Sequence, residues 1–366
     1  MTRNLRAAAL TREPYGATRD GEEVELVTLA SRAGVVVEIL TYGGIVRRVL
    51  APDRYGDTAN VALGLETLDD YLEDNSGYFG ALVGRFANRL AGATFELDGT
   101  THRVDANEGS HALHGGTRGF DRCVWEPTVL PVEDDRCGLE LRRTSPAGEM
   151  GYPGALSVVV TYSLTAAGTL RIDYRAETDA PTIVNLTSHG YWNLAGEGSG
   201  PVDGHVLWLA AGGYTPYDAE LIPTGAIAPV AGTPFDFTRP RPLGARCRRD
   251  GGYDVNFVLD RSTRDGLERA AELHDPVSGR ALAVWTTEPG LQLYAGHLLD
   301  GTRTGTDGRP HETGFGVALE TQHFPDSPHR PAFPSVVLRP GGHYRSATEY
   351  RLSVPGVERR GLDGDA

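Results

Sequence analysis

Five stretches concentrate polar side chains beside glycine or proline. They are Gly84-Arg85-Phe86-Ala87-Asn88-Arg89, His111-Ala112-Leu113-His114-Gly115-Gly116, Ser188-His189-Gly190-Tyr191-Trp192-Asn193-Leu194, Gly252-Tyr253-Asp254-Val255-Asn256-Phe257 and Glu320-Thr321-Gln322-His323-Phe324-Pro325-Asp326. Histidine and carboxylate side chains move protons near neutral pH, and asparagine and arginine donate to oxygens. Together these types suit general acid–base chemistry on an oxygen-rich molecule. Taken singly, each also has a plain structural reading. Asn88-Arg89 reads as a turn with a surface charge, and His114 beside two glycines as the cap of a tight turn. His189 reads as a hydrogen-bonded core histidine, Glu320 after Val317-Ala318-Leu319 as a rim carboxylate, and Asp254 as an Asx-turn residue. Tyr191 and Trp192 suit either core packing or the apolar face of a pyranose.

Metal and nucleotide chemistry find less support. His111-x-x-His114 has ligand spacing but no matching pair, and His311-Glu312 does not continue to H-E-x-x-H because Phe315 fills the last position. Neither a G-x-G-x-x-G between strand and helix nor a phosphate loop occurs. The expectation is no metal and no cofactor.

The elements that must position these residues read as β. Residues 170–176 alternate, with Leu170, Ile172, Tyr174 and Ala176 on one face and Arg171, Asp173 and Arg175 on the other. Residues 344–352 alternate similarly. Further strands are expected at 24–29, 35–40, 45–51, 125–130, 138–143, 156–164, 206–210, 281–287, 316–320 and 336–338. Asp98-Gly99 predicts a hairpin between 94–97 and 101–104. One short helix is expected at 67–74, and long surface loops at 196–204 and 300–309. Strands following strands exclude a doubly wound α/β fold and favour an all-β sandwich or barrel. The five polar stretches fall where a sandwich places its loops. No composition shift marks a linker, so residues 1–366 read as one domain.

Bulk properties narrow the partners. The 366 residues are 40% hydrophobic and 23% charged, an ordinary globular composition. A formal net charge of −14 argues against nucleic acid and anionic membrane, and it suits a neutral ligand better than a phosphorylated one. Arg246-Arg248-Arg249 reads as a solvated face. The three cysteines, Cys123, Cys137 and Cys247, form no paired motif. Together with a short N-terminal apolar run they point to the cytoplasm.

The ordered set of stretches says more than any one of them. Tyr42-Gly43-Gly44, Ala51-Pro52-Asp53-Arg54-Tyr55-Gly56 and Leu63-Gly64 come first. Residues 84–89, Leu113-His114-Gly115-Gly116-x-x-Gly119-Phe120-Asp121, 188–194, 252–257, Pro289-Gly290-x-Gln292 and 320–326 follow. Over roughly residues 26–352 this series resembles the aldose 1-epimerase (galactose mutarotase) family. Val255, where relatives often have histidine, and Gly44, where alanine is more usual, depart from the pattern.

The resemblance implies a supersandwich of antiparallel sheets with a sugar cleft and little helix. It assigns Glu320 as catalytic base and His189 as catalytic acid. Asn88, Arg89, His114, Tyr191, Asp254 and Gln292 match sugar-holding positions. The implied partner is a neutral monosaccharide, handled by a monomer or homodimer.

Anomer exchange needs a base at the C1 hydroxyl and an acid at the ring oxygen, and no cofactor. An adjacent Glu320 and His189 are expected to hold each other charged. Rival readings are an epimerase of hexose 6-phosphates, a sugar sensor without catalysis, and a glycoside hydrolase or polysaccharide lyase on a related fold.

Overall fold

The computed structural model describes residues 8–73, 77–263 without 248–251, and 265–356; the side chains of 246 and 247 are also outside the description. The cluster Arg246-Arg248-Arg249, the thiol of Cys247 and the expected helix end at Asp74 therefore lie outside the described residues.

Three antiparallel sheets form the body. Nine strands make the largest, in the order Glu126–Val129, Arg136–Ser145, Leu156–Thr165, Thr169–Thr178, Tyr344–Ser353, Ala281–Thr286, Glu268–His274, Val206–Leu209 and Arg241–Pro242. A six-stranded sheet runs Tyr191–Trp192, Val317–Gln322, Gly290–Tyr294, Asp254–Val258, Gly213–Tyr214 and Ala228–Pro229. The N-terminal sheet joins Ala9–Ala17, Glu23–Ala30, Val36–Leu40, Val46–Pro52 and Thr58–Asn60 in chain order. One apolar cluster links all three, from Val27 and Ile39 through Tyr162 and Leu164 to Phe257, Leu291 and Leu319. This is the expected all-β supersandwich. α-Helix among the described residues is confined to Leu68–Glu73 and Gly244–Cys247. The first is opened by Thr67, whose hydroxyl takes the Asp70 amide while the Asp70 carboxylate takes the Thr67 amide at 2.9 Å.

Alternation places several long strands within a residue or two, because one of their faces is wet, but Ala9–Ala17 and Glu268–His274 are strands that the sequence reading did not include. Strand Thr169–Thr178 buries every second side chain. The six-stranded sheet behaves differently. Val317–Gln322 is buried at every position, and Asp254–Val258 and Gly290–Tyr294 at most of them. A strand covered on both faces shows no alternation, so the polar stretch 252–257 reads as a loop and 290–294 gives no strand signal. The structure corrects the first and adds the second: Asp254 and Gln292 stand on strands, as Glu320 does at the end of the expected strand 316–320.

Trp125 ties this framework to the glycine-rich stretch. It is fully buried; its indole N–H donates to Phe120 O at 3.2 Å, and the Phe120 ring meets it edge-on at 5.4 Å. Replacing Trp125 by alanine will lower unfolding free energy by about 3–5 kcal/mol. A urea titration followed by circular dichroism reads the loss; a change under about 1 kcal/mol would show that Trp125 is not a keystone.

Candidate active site

Three neighbouring strands of the six-stranded sheet carry one row of polar side chains. Gln292 lies opposite Glu320 on one side and opposite Asn256 on the other, and Asp254 is two residues along from Asn256, on the same face. Gln292 Nε2 donates to Asp254 Oδ1 at 2.5 Å. His189 arrives from a separate connection. Its amide donates to Ala81 O at 2.9 Å and its carbonyl accepts from Gly80 N at 3.0 Å, so its backbone is clamped on both sides. Its Nε2 lies 3.5 Å from Glu320 Oε1.

The opposite wall comes from the pairing of Arg89–Leu90 with Ala112–Leu113, which sets Arg89 beside Leu113. Asn88 and His114 both have left-handed backbones, φ 66° and 52°. That bend lets the Asn88 amide donate to His114 Nδ1 at 3.2 Å. An Nδ1 that accepts leaves the ring proton on Nε2, so His114 is a donor toward the cleft. Gly115, φ 97°, makes the close approach possible: a Cβ there would sit 1.9 Å from Gly84 O.

These walls enclose a cleft of ≈ 410 Å³. Asn88, Arg89, His114, His189, Tyr191, Asp254 and Glu320 all line it. Gln292 lies behind Asp254, at a small pocket of ≈ 10 Å³ shared with Asn256. Tyr191 packs its ring against His189 at 4.9 Å and donates its hydroxyl to Gly77 O at 2.9 Å, whereas Trp192 packs into the core against Tyr350.

Burial sets the electrostatics. Glu320 and His189 are 2% and 5% exposed. Desolvation, then the Asp254 charge, pushes the Glu320 carboxyl well above the usual carboxylate range, with Arg89 opposing. Desolvation lowers His189 to about 4. His114 falls well below its ordinary value through burial, then through the His189 and Arg89 charges, and is neutral. Burial thus favours the neutral form of each, against the expectation that Glu320 and His189 hold each other charged. Glu320 Oε2 has no hydrogen-bond partner among the described residues.

Comparison with known proteins identifies the family. The profile of the family described as aldose 1-epimerase matches residues 25–351. The chain is 44% identical over 320 residues to the galactose mutarotase of Sus scrofa, covering 87% of this chain and 91% of that one. Identity to the galactose mutarotase of Homo sapiens is 42% over 350 residues, 95% and 99% of the two chains. The chain belongs to the aldose 1-epimerase family. Its structure is similar to that of galactose 1-epimerase from Lactobacillus acidophilus NCFM, with a TM-score of 0.83 at 26% identity, over 95% of this chain and 99% of that one.

The family cleft holds more here than the sequence disclosed. Tyr78, Glu108, Tyr294, Asp300, Thr302, Arg303 and His311 also line it. Tyr78 packs at a tilt against both histidines, its ring 4.5 Å from the His114 ring and 5.9 Å from the His189 ring. It belongs to Gly77-Tyr78-Phe79-Gly80, a glycine-flanked aromatic pair that could have signalled a wall. The expected surface loop at 300–309 is a rim of the cleft, held by buried Glu197, which accepts from Thr306 N at 3.1 Å and Gly64 N at 3.2 Å.

Donor atoms of His114, His189 and Glu320 lie within 4.8 Å of one another, a spacing a metal ion can exploit. The tautomer of His114 opposes it, since the nitrogen facing the cleft carries the proton. His111 and His114 do not converge as ligands: His111 Nδ1 accepts from Gly92 N at 3.0 Å.

Gly115→Ala tests the close approach. It will cost at least about 2 kcal/mol of stability and depress activity together; calorimetry showing an unchanged melting temperature would mean the loop accommodates a Cβ.

Proposed function

We propose that this chain interconverts the α and β anomers of free hexoses such as D-galactose and D-glucose, by ring opening and reclosure between Glu320 and His189. The observation that carries the reading is the buried Glu320–His189 contact at 3.5 Å, with an unpartnered carboxylate oxygen and a fixed His114 donor around the same cleft. Family membership supports it.

When a sugar hydroxyl donates to Glu320, the carboxylate form gains the hydrogen bond it lacks, and the pair's proton passes to His189 Nε2. Glu320 then takes the proton of the C1 hydroxyl while His189 gives its proton to the ring oxygen. The C1–O5 bond breaks and the C1–O1 bond becomes a carbonyl. Rotation about C1–C2 presents the other face. On reclosure the O5 hydroxyl returns its proton to His189, and Glu320 protonates O1. No proton or electron is gained or lost. Arg89 and neutral His114 donate to oxygens as charge develops, and Asp254, held by Gln292, accepts from hydroxyls.

The acidic cleft suits a neutral monosaccharide. No helix among the described residues is long and apolar enough to cross a membrane. Buried free Cys123 and Cys137 support a reducing compartment such as the cytoplasm. The uninterrupted match over residues 25–351 supports a single domain. Monomer or homodimer is the assembly we favour.

Glu320→Gln and His189→Asn will each cut turnover at least about 10²-fold while leaving the fold intact. Polarimetry of freshly dissolved α-D-galactose and α-D-glucose, corrected for spontaneous relaxation, measures this; near-normal activity removes that residue from the mechanism.

The pH profile will be bell-shaped. As pH falls toward about 4, His189 gains a second proton for the pair while Glu320 stays protonated, so no base remains. As pH rises through the elevated Glu320 value, the pair loses its proton and no acid remains. An acid limb near the ordinary histidine value instead would show that burial does not control His189.

A further inference from the structure

The sugar-holding role of Arg89 rests on a carboxylate that neither the motifs nor the mechanism uses. Arg89 is 8% exposed and has two carboxylates within reach. Its Nε donates to Glu108 Oε2 at 2.7 Å and its Nη2 to Glu108 Oε1 at 2.7 Å. Its Nη1 lies 3.6 Å from Asp254 Oδ2, beyond hydrogen-bond distance. The fork is thus spent on the rim residue, and the remaining nitrogen stands in the cleft beside Asp254.

Glu108 can do this because its backbone is fixed. Its amide donates to His111 O at 3.1 Å and its carbonyl accepts from the His111 amide at 2.9 Å, with Gly109 at φ 59° closing the turn. The preceding Asn107 holds the next strand, accepting from Leu113 N at 2.7 Å and donating to Leu113 O at 3.0 Å. Leu113 in turn is the cross-strand neighbour of Arg89. The turn and the arginine therefore keep one spacing.

We propose that Glu108 is a positioning residue: it takes the bidentate face of Arg89, so that Asp254 and a single Arg89 nitrogen stay available to the sugar. The inference rests on the sugar-binding reading above. Two carboxylates compete for one planar fork. Without Glu108 the fork turns to Asp254, the nearer remaining anion. Asp254 would then spend on Arg89 the oxygen it offers to sugar hydroxyls, and leave its hydrogen bond from Gln292.

Four variants decide it: Glu108→Gln, Glu108→Asp, Arg89→Lys, which has no fork to hold, and Glu108→Gln in that Arg89→Lys background. Glu108→Gln will raise KM for galactose about tenfold and leave kcat within about threefold, and Glu108→Asp will recover part of the loss. In the Arg89→Lys background the same change will add less than about twofold. The Arg89 Nε–H proton resonance, shifted downfield and protected from exchange by the fork, will move upfield and exchange faster in Glu108→Gln. An unchanged KM, or an equal rise in the Arg89→Lys background, overturns the proposal. If the unmodified enzyme fails to accelerate mutarotation, the proposed function falls. The Nε–H resonance still decides the fork: unmoved by Glu108→Gln it overturns this inference, and moved it supports it.

Discussion

A carboxylate removed from water governs the site. Glu320 sits in a strand whose six residues are all buried, and one of its oxygens has no partner among the described residues. Ionising such a group is costly unless donors are supplied. The surroundings supply few within the protein: Arg89 works for ionisation and Asp254 against it. In the proposed mechanism the missing donor is a sugar hydroxyl, so that substrate binding and activation of the base become one event.

That arrangement demands stiff support, and the topology gives it. Asp254, Gln292 and Glu320 come from three adjacent strands, so their spacing is the spacing of the ladder. His189, Asn88 and His114 come from connections, but each is pinned by backbone hydrogen bonds or by short strand pairs. Asp326 adds a cross-tie: its amide donates to Arg89 O at 2.9 Å and its Oδ1 accepts from Ala91 N at 3.0 Å. The stretch that begins with Glu320 thus ends by fastening the wall that carries Arg89.

These facts explain what the sequence disclosed. Half-wet strands such as Thr169–Thr178 announce themselves by alternation. The family resemblance carried by the ordered motifs gathered Asn88, Arg89, His114, His189, Tyr191, Asp254, Gln292 and Glu320 as candidates, and the structure brings all but Gln292 to the cleft wall. Strands buried on both faces stayed hidden, since Asp254–Val258 and Gly290–Tyr294 carry no period of two. The electrostatics of the Glu320–His189 pair stayed out of reach for a related reason. Adjacency argues for an ion pair, but the depth of burial, which opposes it, depends on the whole fold. Glu108 and the rim residues Asp300, Thr302 and Arg303 were silent because nothing local marks them, whereas Tyr78 left only the weak signal of its glycine-flanked aromatic pair.

The distribution of charge around Arg89 completes the argument. One guanidinium stands among Glu108, Asp254 and Glu320, and on the proposed reading each carboxylate has a different task. If Arg89 engaged Glu320 directly it would pull that carboxyl toward the ordinary range, and the base would be ionised but weak. If it engaged Asp254 with its full fork, the sugar would lose an acceptor. Committing the fork to Glu108, the most exposed of the three at 35%, avoids both outcomes. The cation is neutralised where water can help solvate the pair, and only its residual field reaches Glu320. A high-pKa base and a free acceptor can then coexist within one small cleft, because a third carboxylate at its rim absorbs the charge that would otherwise unbalance them.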